Sequence, residues 1–191
     1  IDRDDEAIEI WTKIFKARNI DPKIESNGEK YGTSRGGRIF LYDADENWWS
    51  RSGRPANMPI GELGGPDSEM FFDFEPNGDI KDHPASDSGR FLEIGNNVFM
   101  SHQKVRADSF LPLEKPNIDY GGGLERICAA VNTDRDVYNT PFFKTPKLAL
   151  TDLSGKLYHE NLKLFRIILD HCRAATFLVG DGVHPGNQDA E

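Results

Sequence analysis

Apolar residues recur at spacings of three and four near the N-terminus, at Ile8, Trp11, Ile14 and Phe15. That period predicts a helix that packs one stripe, Trp11 included, against a core. Asp4 and Asp5 suit its cap, and Asn19 and Pro22 mark its end. Short apolar and aromatic runs then predict strands over residues 38–42 and Met70–Phe74, and the longest strand is predicted over Arg90–Ser101. Along the last of these, Phe91, Glu93, Gly95, Asn97 and Phe99 face one way and Leu92, Ile94, Asn96, Val98 and Met100 the other. Residues 50–68 are rich in Gly, Pro and Ser and read as a loop forming a lid or wall. Asn77-Gly78 predicts a hairpin turn, and Leu111–Pro116 a loop before strand-like Asn117-Ile118-Asp119. A helix through Ile127–Val131 runs to about residue 132, and residues 138–143 with the Pro146 region read as a connection. Leu162, Phe165, Ile168, Leu169 and Cys172 then mark a second amphipathic helix over Tyr158–Leu178.

A chain of 191 residues has room for one sizeable core or two small ones. No apolar run reaches the roughly 18 residues of a membrane span, and the acidic start Asp2-Arg3-Asp4-Asp5 is unlike a secretory leader. A cytoplasmic location without membrane contact is therefore expected. Cys128 and Cys172 lie on apolar helical patterns and read as small hydrophobes, with neither a disulfide nor structural zinc expected. Net charge is −9, from 23 basic and 32 acidic residues, which argues against broad nucleic-acid binding and against DNA as a partner. The balance is uneven: net −8 over residues 43–93, net +3 over residues 141–180. Lys163, Arg166 and Arg173 decorate the last helix, either as a solvated face or as a nucleic-acid contact. The first residue is not Met, and the chain is expected to be an excised piece.

The densest chemistry lies in Asp119-Tyr120-Gly121-Gly122-Gly123-Leu124-Glu125-Arg126, which leads into the helix Ile127-Cys128-Ala129-Ala130-Val131. Glycines at a helix start let unpaired N–H groups and the positive end of the dipole meet an anion, although a plain turn uses them as well. Arg126 adds a planar fork suited to phosphate, and Asp119 a carboxylate suited to an ammonium group. Two other features have two readings each. Of Trp48 and Trp49, one packs inward while the other covers the surface or walls a small-molecule pocket. Asn96, among apolar neighbours, either satisfies backbone groups or presents its amide to a ligand.

Gly121-Gly122-Gly123-Leu124-Glu125-Arg126 resembles the third signature motif of the class II aminoacyl-tRNA synthetases. Together with Asp45–Trp49, Gly65–Glu69 and Glu93–Met100, in that order, it resembles the alanyl-tRNA synthetase family in particular. Asp5-Glu6-Ala7 through Trp11 resembles the segment after that family's second motif, and Asp170–Val183 the entry to its helical tRNA-recognition region. The resemblance implies an α+β fold, an antiparallel sheet flanked by helices. It divides the chain into a partial catalytic domain at 1–145 and the start of the helical region at 146–191.

The resemblance also implies a reaction: alanine and ATP, with Mg²⁺, form alanyl-adenylate, and the alanyl group passes to tRNA(Ala), held in part by the C-terminal helical region. By position, Asp119 would bind the substrate ammonium and Gly121 would leave room beside it, while Trp49 and Ile94 enclose the methyl group. Asn96 would hydrogen-bond the substrate or its neighbours. Gly123 and Arg126 would meet the ATP phosphates, and Glu93 the Mg²⁺ ion or nucleotide. Asp119 and Arg126 are the candidate catalytic pair. The chain departs from the family pattern at Gly64–Glu69, which lacks two cysteines, at Gly95 in place of tryptophan and at Tyr120 in place of threonine. These departures bear on pocket shape and on an alternative, a noncatalytic module binding tRNA or protein. Motifs 1 and 2 are expected upstream of Ile1, so this piece alone is expected to be inactive and monomeric.

Overall fold

In the computed structural model, which describes residues 3–86 and 88–186, the chain divides into two compact units, Ile1–Arg135 and Asp136–Glu191. In the first, Asp4 accepts from the Ala7 N–H at 2.9 Å and starts α1 (Asp5–Ala17). Trp11 is half-buried and donates through Nε1 to Ser68 Oγ at 3.1 Å, whereas Ile14, expected on the packed stripe, is exposed. Residues 38–42 shorten to a two-residue strand: β2 (Ile39–Phe40) pairs in parallel with β1 (Ile24–Glu25), and α2 (Gly28–Tyr31) lies between them in sequence.

The expected antiparallel sheet is present. Its four strands are β3 (Trp48–Ser50), β4 (Leu63–Asp73), β5 (Phe91–Arg106) and β6 (Ser109–Gly122), in that spatial order. Two stretches expected as loop are strand. Residues 63–69 belong to β4, because Gly64 and Gly65 permit a close backbone approach: a Cβ on Gly65 would collide with the Phe99 carbonyl oxygen. Leu111–Pro116 belongs to β6, whose prolines are tolerated because β6 is an edge strand with one row of backbone groups unpaired within the sheet. Between Met70 and Phe71 the pairing on β5 skips Ile94, so simple alternation is interrupted there. Arg90, buried at the start of β5, grips Asp73 at the end of β4. Only Gly123 of the glycine triplet caps α3 (Leu124–Asn132); Gly121 and Gly122 end β6.

The second unit is helical. The expected connection is instead α4 (Pro141–Ser154), which begins with Pro141 in its first turn and continues through Pro146. Burial outweighs the hydrogen bond lost at Pro146: Phe143 packs with Phe165 and Leu169 of α5 (Leu162–Gly180), and Tyr138, Leu150 and Tyr158 close around them. The helix expected over 158–178 thus starts at Leu162, after a short 3₁₀ turn at Tyr158–Glu160. Asp136 accepts from the Tyr158 hydroxyl at 2.6 Å and from Arg166 Nη2 at 2.9 Å. Both cysteines are free, and Cys172 is exposed, not packed as expected. Among the described residues no helix is long and apolar enough to cross a membrane.

Candidate active site

Strand register sorts the side chains of the sheet onto two faces. Glu69, Asn96 and Gly121 stand opposite one another on β4, β5 and β6, and so do Asp67, Val98 and Asp119. Directly paired residues share a face, and residues two apart return to it, so these two rows form one continuous surface. Trp49 pairs with Gly65, within the irregular stretch of β4 between Gly64 and Asp67, and so stands beside that surface. Ser68, Asn97 and Tyr120 form a row facing the other way, as do Met70, Gly95 and Gly122. Thus Asn96, Asp119 and Gly121 share one face of the sheet, with Trp49 on the neighbouring strand β3.

Each of these side chains has a different environment. Trp48 is buried and Trp49 exposed, so the inward one is Trp48 and the surface one Trp49. Asn96 donates through Nδ2 to Glu69 Oε1 at 3.0 Å, while its own Oδ1 is buried with no hydrogen-bond partner among the described residues. Nδ2 thus serves a side chain and no backbone group. Asp119 is exposed, and a Cβ on Gly121 would meet no atom within 4 Å. Ile94, at the bulge, accepts the Gly123 N–H at 3.2 Å through its carbonyl, which ties β5 to the start of α3. There Arg126 Nη1 donates to both Glu93 Oε2, at 2.7 Å, and the Glu93 carbonyl, at 2.8 Å.

Two carboxyls on this face were not singled out from the sequence. Burial pushes Asp67 up to about 6, partly offset by the Asn96 and Asn47 amides. Burial also pushes Glu69 up to about 7, reinforced by the charges of Glu93, Asp67 and Glu46. Asp67 Oδ1, like Asn96 Oδ1, is buried without a hydrogen-bond partner among the described residues. The surface between Trp49 and Asn96 is therefore rich in acceptors and suits a donor-bearing, cationic ligand. Their signal was available: once 63–69 is strand, residues 67 and 69 fall on one face.

The departures Gly95 and Tyr120 lie together on the opposite face. A Cβ on Gly95 would stand 3.0 Å from the Tyr120 hydroxyl and 2.7 Å from Met70 Cε, so these side chains fill the space over that glycine. A separate cavity of about 920 Å³ is bounded by α1, residues 26–29, 37–48 and 83–85, and part of β4. It touches Asp67 and Glu69 but none of Trp49, Glu93, Ile94, Asn96, Asp119, Gly121, Gly123 and Arg126. The sequence-derived residues thus gather on an open sheet face and at the β6–α3 junction, outside that cavity.

The family model described as tRNA synthetases class II (A) matches residues 2–191. The chain is 36% identical over 177 residues to an alanine--tRNA ligase of Treponema denticola, covering 88% of this chain and 28% of that protein. It is 37% identical over 199 residues to one of Treponema pallidum, covering 98% and 28%. Against one of Rubrobacter xylanophilus the figures are 33% over 199 residues, 95% and 22%. The chain thus spans less than a third of the length of these curated relatives. With a match along nearly its whole length and the expected antiparallel sheet in place, the chain belongs to the class II (A) tRNA synthetase family.

Proposed function

We propose that this chain is the motif 3 part of an alanine--tRNA ligase, in which the sheet face bearing Asn96, Asp119 and Gly121 binds alanine. The carrying observation is the co-facial row Glu69–Asn96–Gly121 beside Asp67–Val98–Asp119, with Trp49 at its edge. Asp119 takes the substrate ammonium, and the neighbouring acceptors Asp67 and Asn96 Oδ1 add to the cationic preference of the site. Trp49 and Ile94 border the methyl group, and Gly121 keeps the space beside it open. A pocket that selects by so small a group gains only about 1–3 kcal/mol against glycine or serine.

The alanine carboxylate oxygen attacks the α-phosphorus of ATP, the α–β phosphoanhydride breaks, and pyrophosphate leaves. The terminal tRNA hydroxyl then attacks the alanyl carbonyl, and AMP leaves. Arg126 and the N–H groups at the start of α3, with Gly123 at its cap, meet phosphate oxygens. Catalysis is positioning and charge stabilisation, with no covalent enzyme intermediate. Mg²⁺ is ordinarily held by one or two carboxylates plus phosphate oxygens; Glu93, whose Oε2 accepts from Arg126 and whose Oε1 has no hydrogen-bond partner among the described residues, fits that donor set, and the ion would neutralise phosphate charge. Positions 1–145 act as the partial catalytic domain and 146–191 as the start of the tRNA-recognition region, where the net +3 of residues 141–180 suits RNA. A cytoplasmic setting follows from that reaction.

The test compares aminoacylation of tRNA(Ala) by the full-length protein with alanine, serine and glycine, before and after Asn96→Ala. Alanine leading by at least tenfold, with a raised alanine KM in the variant, is the expected result. A folded full-length protein that binds tRNA without charging it would instead identify a noncatalytic module. The isolated 191-residue chain is expected to be monomeric and to show no alanine-dependent ATP–pyrophosphate exchange.

A further inference from the structure

Arg126 is restrained from two sides. On one side Glu93 supplies two acceptors to the same nitrogen: its carboxylate Oε2 and its backbone carbonyl receive Nη1, at 2.7 and 2.8 Å. On the other side the arginine side chain folds over Gly123, where a Cβ would stand 2.5 Å from Nε and 3.2 Å from Cζ. Gly123 is itself fixed: its N–H donates to the Ile94 carbonyl, and its carbonyl accepts the Ile127 N–H at 2.8 Å. The absence of a side chain at position 123 therefore decides where the guanidinium lies.

These contacts occupy Nη1 and leave the Nε–Nη2 edge without a hydrogen-bond partner among the described residues. That edge makes the paired, parallel bonds by which arginine recognises phosphate. A flexible arginine loses rotamer freedom when it binds; one already held loses less, and binds more tightly for the same contacts. We infer that Glu93 and Gly123 are positioning residues that hold Arg126 with its Nε–Nη2 edge ready for a nucleotide phosphate, so that Glu93 acts on the nucleotide through Arg126. The inference rests on the nucleotide-site reading proposed above. It gives Glu93 a different task from metal ligation, and the two can be told apart.

The experiment measures the Kd for ATP by calorimetry on the full-length protein, once with EDTA and once with Mg²⁺. The variants are Glu93→Ala, Glu93→Gln, Gly123→Ala, Arg126→Ala and the double variant Glu93→Ala/Arg126→Ala. Charge-assisted hydrogen bonds of this kind correspond to about a tenfold change or more. Glu93→Ala and Gly123→Ala are each expected to weaken ATP binding by about that factor in both buffers. Glu93→Gln recovers most of the loss, because an amide oxygen accepts the same Nη1 bond. The double variant binds no more weakly than Arg126→Ala alone. Gly123→Ala carries the test should Glu93→Ala fail to fold.

Losses that multiply in the double variant, or a Glu93→Gln protein as weak as Glu93→Ala and only when Mg²⁺ is present, would overturn the inference. A wild-type protein that binds no ATP would instead overturn the nucleotide reading, and the inference with it.

Discussion

Replacing Arg90 by alanine should be among the most damaging single changes in the first unit. Arg90 is 2% exposed and donates through Nε and Nη2 to the two oxygens of Asp73, at 2.8 and 2.7 Å. Nη1 donates to the Asp79 carbonyl at 2.8 Å and to Thr33 Oγ1 at 3.2 Å. The substitution removes a bidentate pair and two further bonds, and it leaves the Asp73 carboxylate, 18% exposed, without its cation. Breaking one partner of a buried pair costs about 3–5 kcal/mol. For a chain of this size that is a fall in melting temperature of about 6–20 °C. The assay is thermal unfolding of the chain at pH 7 by circular dichroism, with Asp73→Asn and the double variant completing a cycle. Burial alone would raise the Asp73 carboxyl, but the bonds from Arg90 hold it below the ordinary range. A depressed carboxylate contributes stability above its unfolded pKa of about 4, and that contribution is lost as pH falls through the lower folded value. The gap between wild type and Arg90→Ala should therefore narrow below about pH 4. A fall under 2 °C at pH 7, or a gap that does not change with acid, would refute the clamp.

Three further outcomes follow from separate parts of the molecule. Glu69, raised to about 7, binds its proton more tightly folded than unfolded, so stability should fall as pH rises from about 4.3 to 7. Glu69→Gln, which keeps an acceptor for Asn96, should flatten that fall in melts at pH 5 and pH 8. Gly121→Val places carbon where no atom lies within 4 Å, so the melting temperature should change by less than about 3 °C. The same change should cut kcat/KM for alanine at least tenfold in pyrophosphate exchange by the full-length protein, about the effect of a misfitted methyl group. Phe165→Ala, at a site 2% exposed between α4 and α5, should cost about 3–5 kcal/mol in denaturant unfolding of the second unit.

The pattern of the sequence and the structure agree where side-chain period and capping point the same way. The cap at Asp4, the start of α3 after Gly123 and the long strand β5 are cases of this. They part company where glycine and proline are read as local signals but act through tertiary neighbours. Gly65 marks a close approach to β5 and not a loop, and the prolines of β6 lie on an outer edge. Pro146 stays helical because Phe143 and Leu150 are packed on either side of it in sequence. The candidate site followed the same logic. Asn96, Asp119 and Gly121 were legible as motif residues, but that they share a face with Asp67 and Glu69 depends on strand register. Register is a nonlocal property: Glu69 and Asn96 are 27 residues apart, and no local window joins them.

The most direct measurement sets the two faces of the sheet against each other. Alanine-dependent ATP–pyrophosphate exchange would be followed in the full-length protein for wild type, Asp119→Asn, Arg126→Ala and Tyr120→Phe. Exchange lost in the first two variants and retained in Tyr120→Phe, whose hydroxyl lies on the opposite face beside Gly95, is the expected result. Exchange that survives Asp119→Asn, or is lost equally in Tyr120→Phe, would contradict the assignment of the alanine site to the face of Asn96 and Asp119.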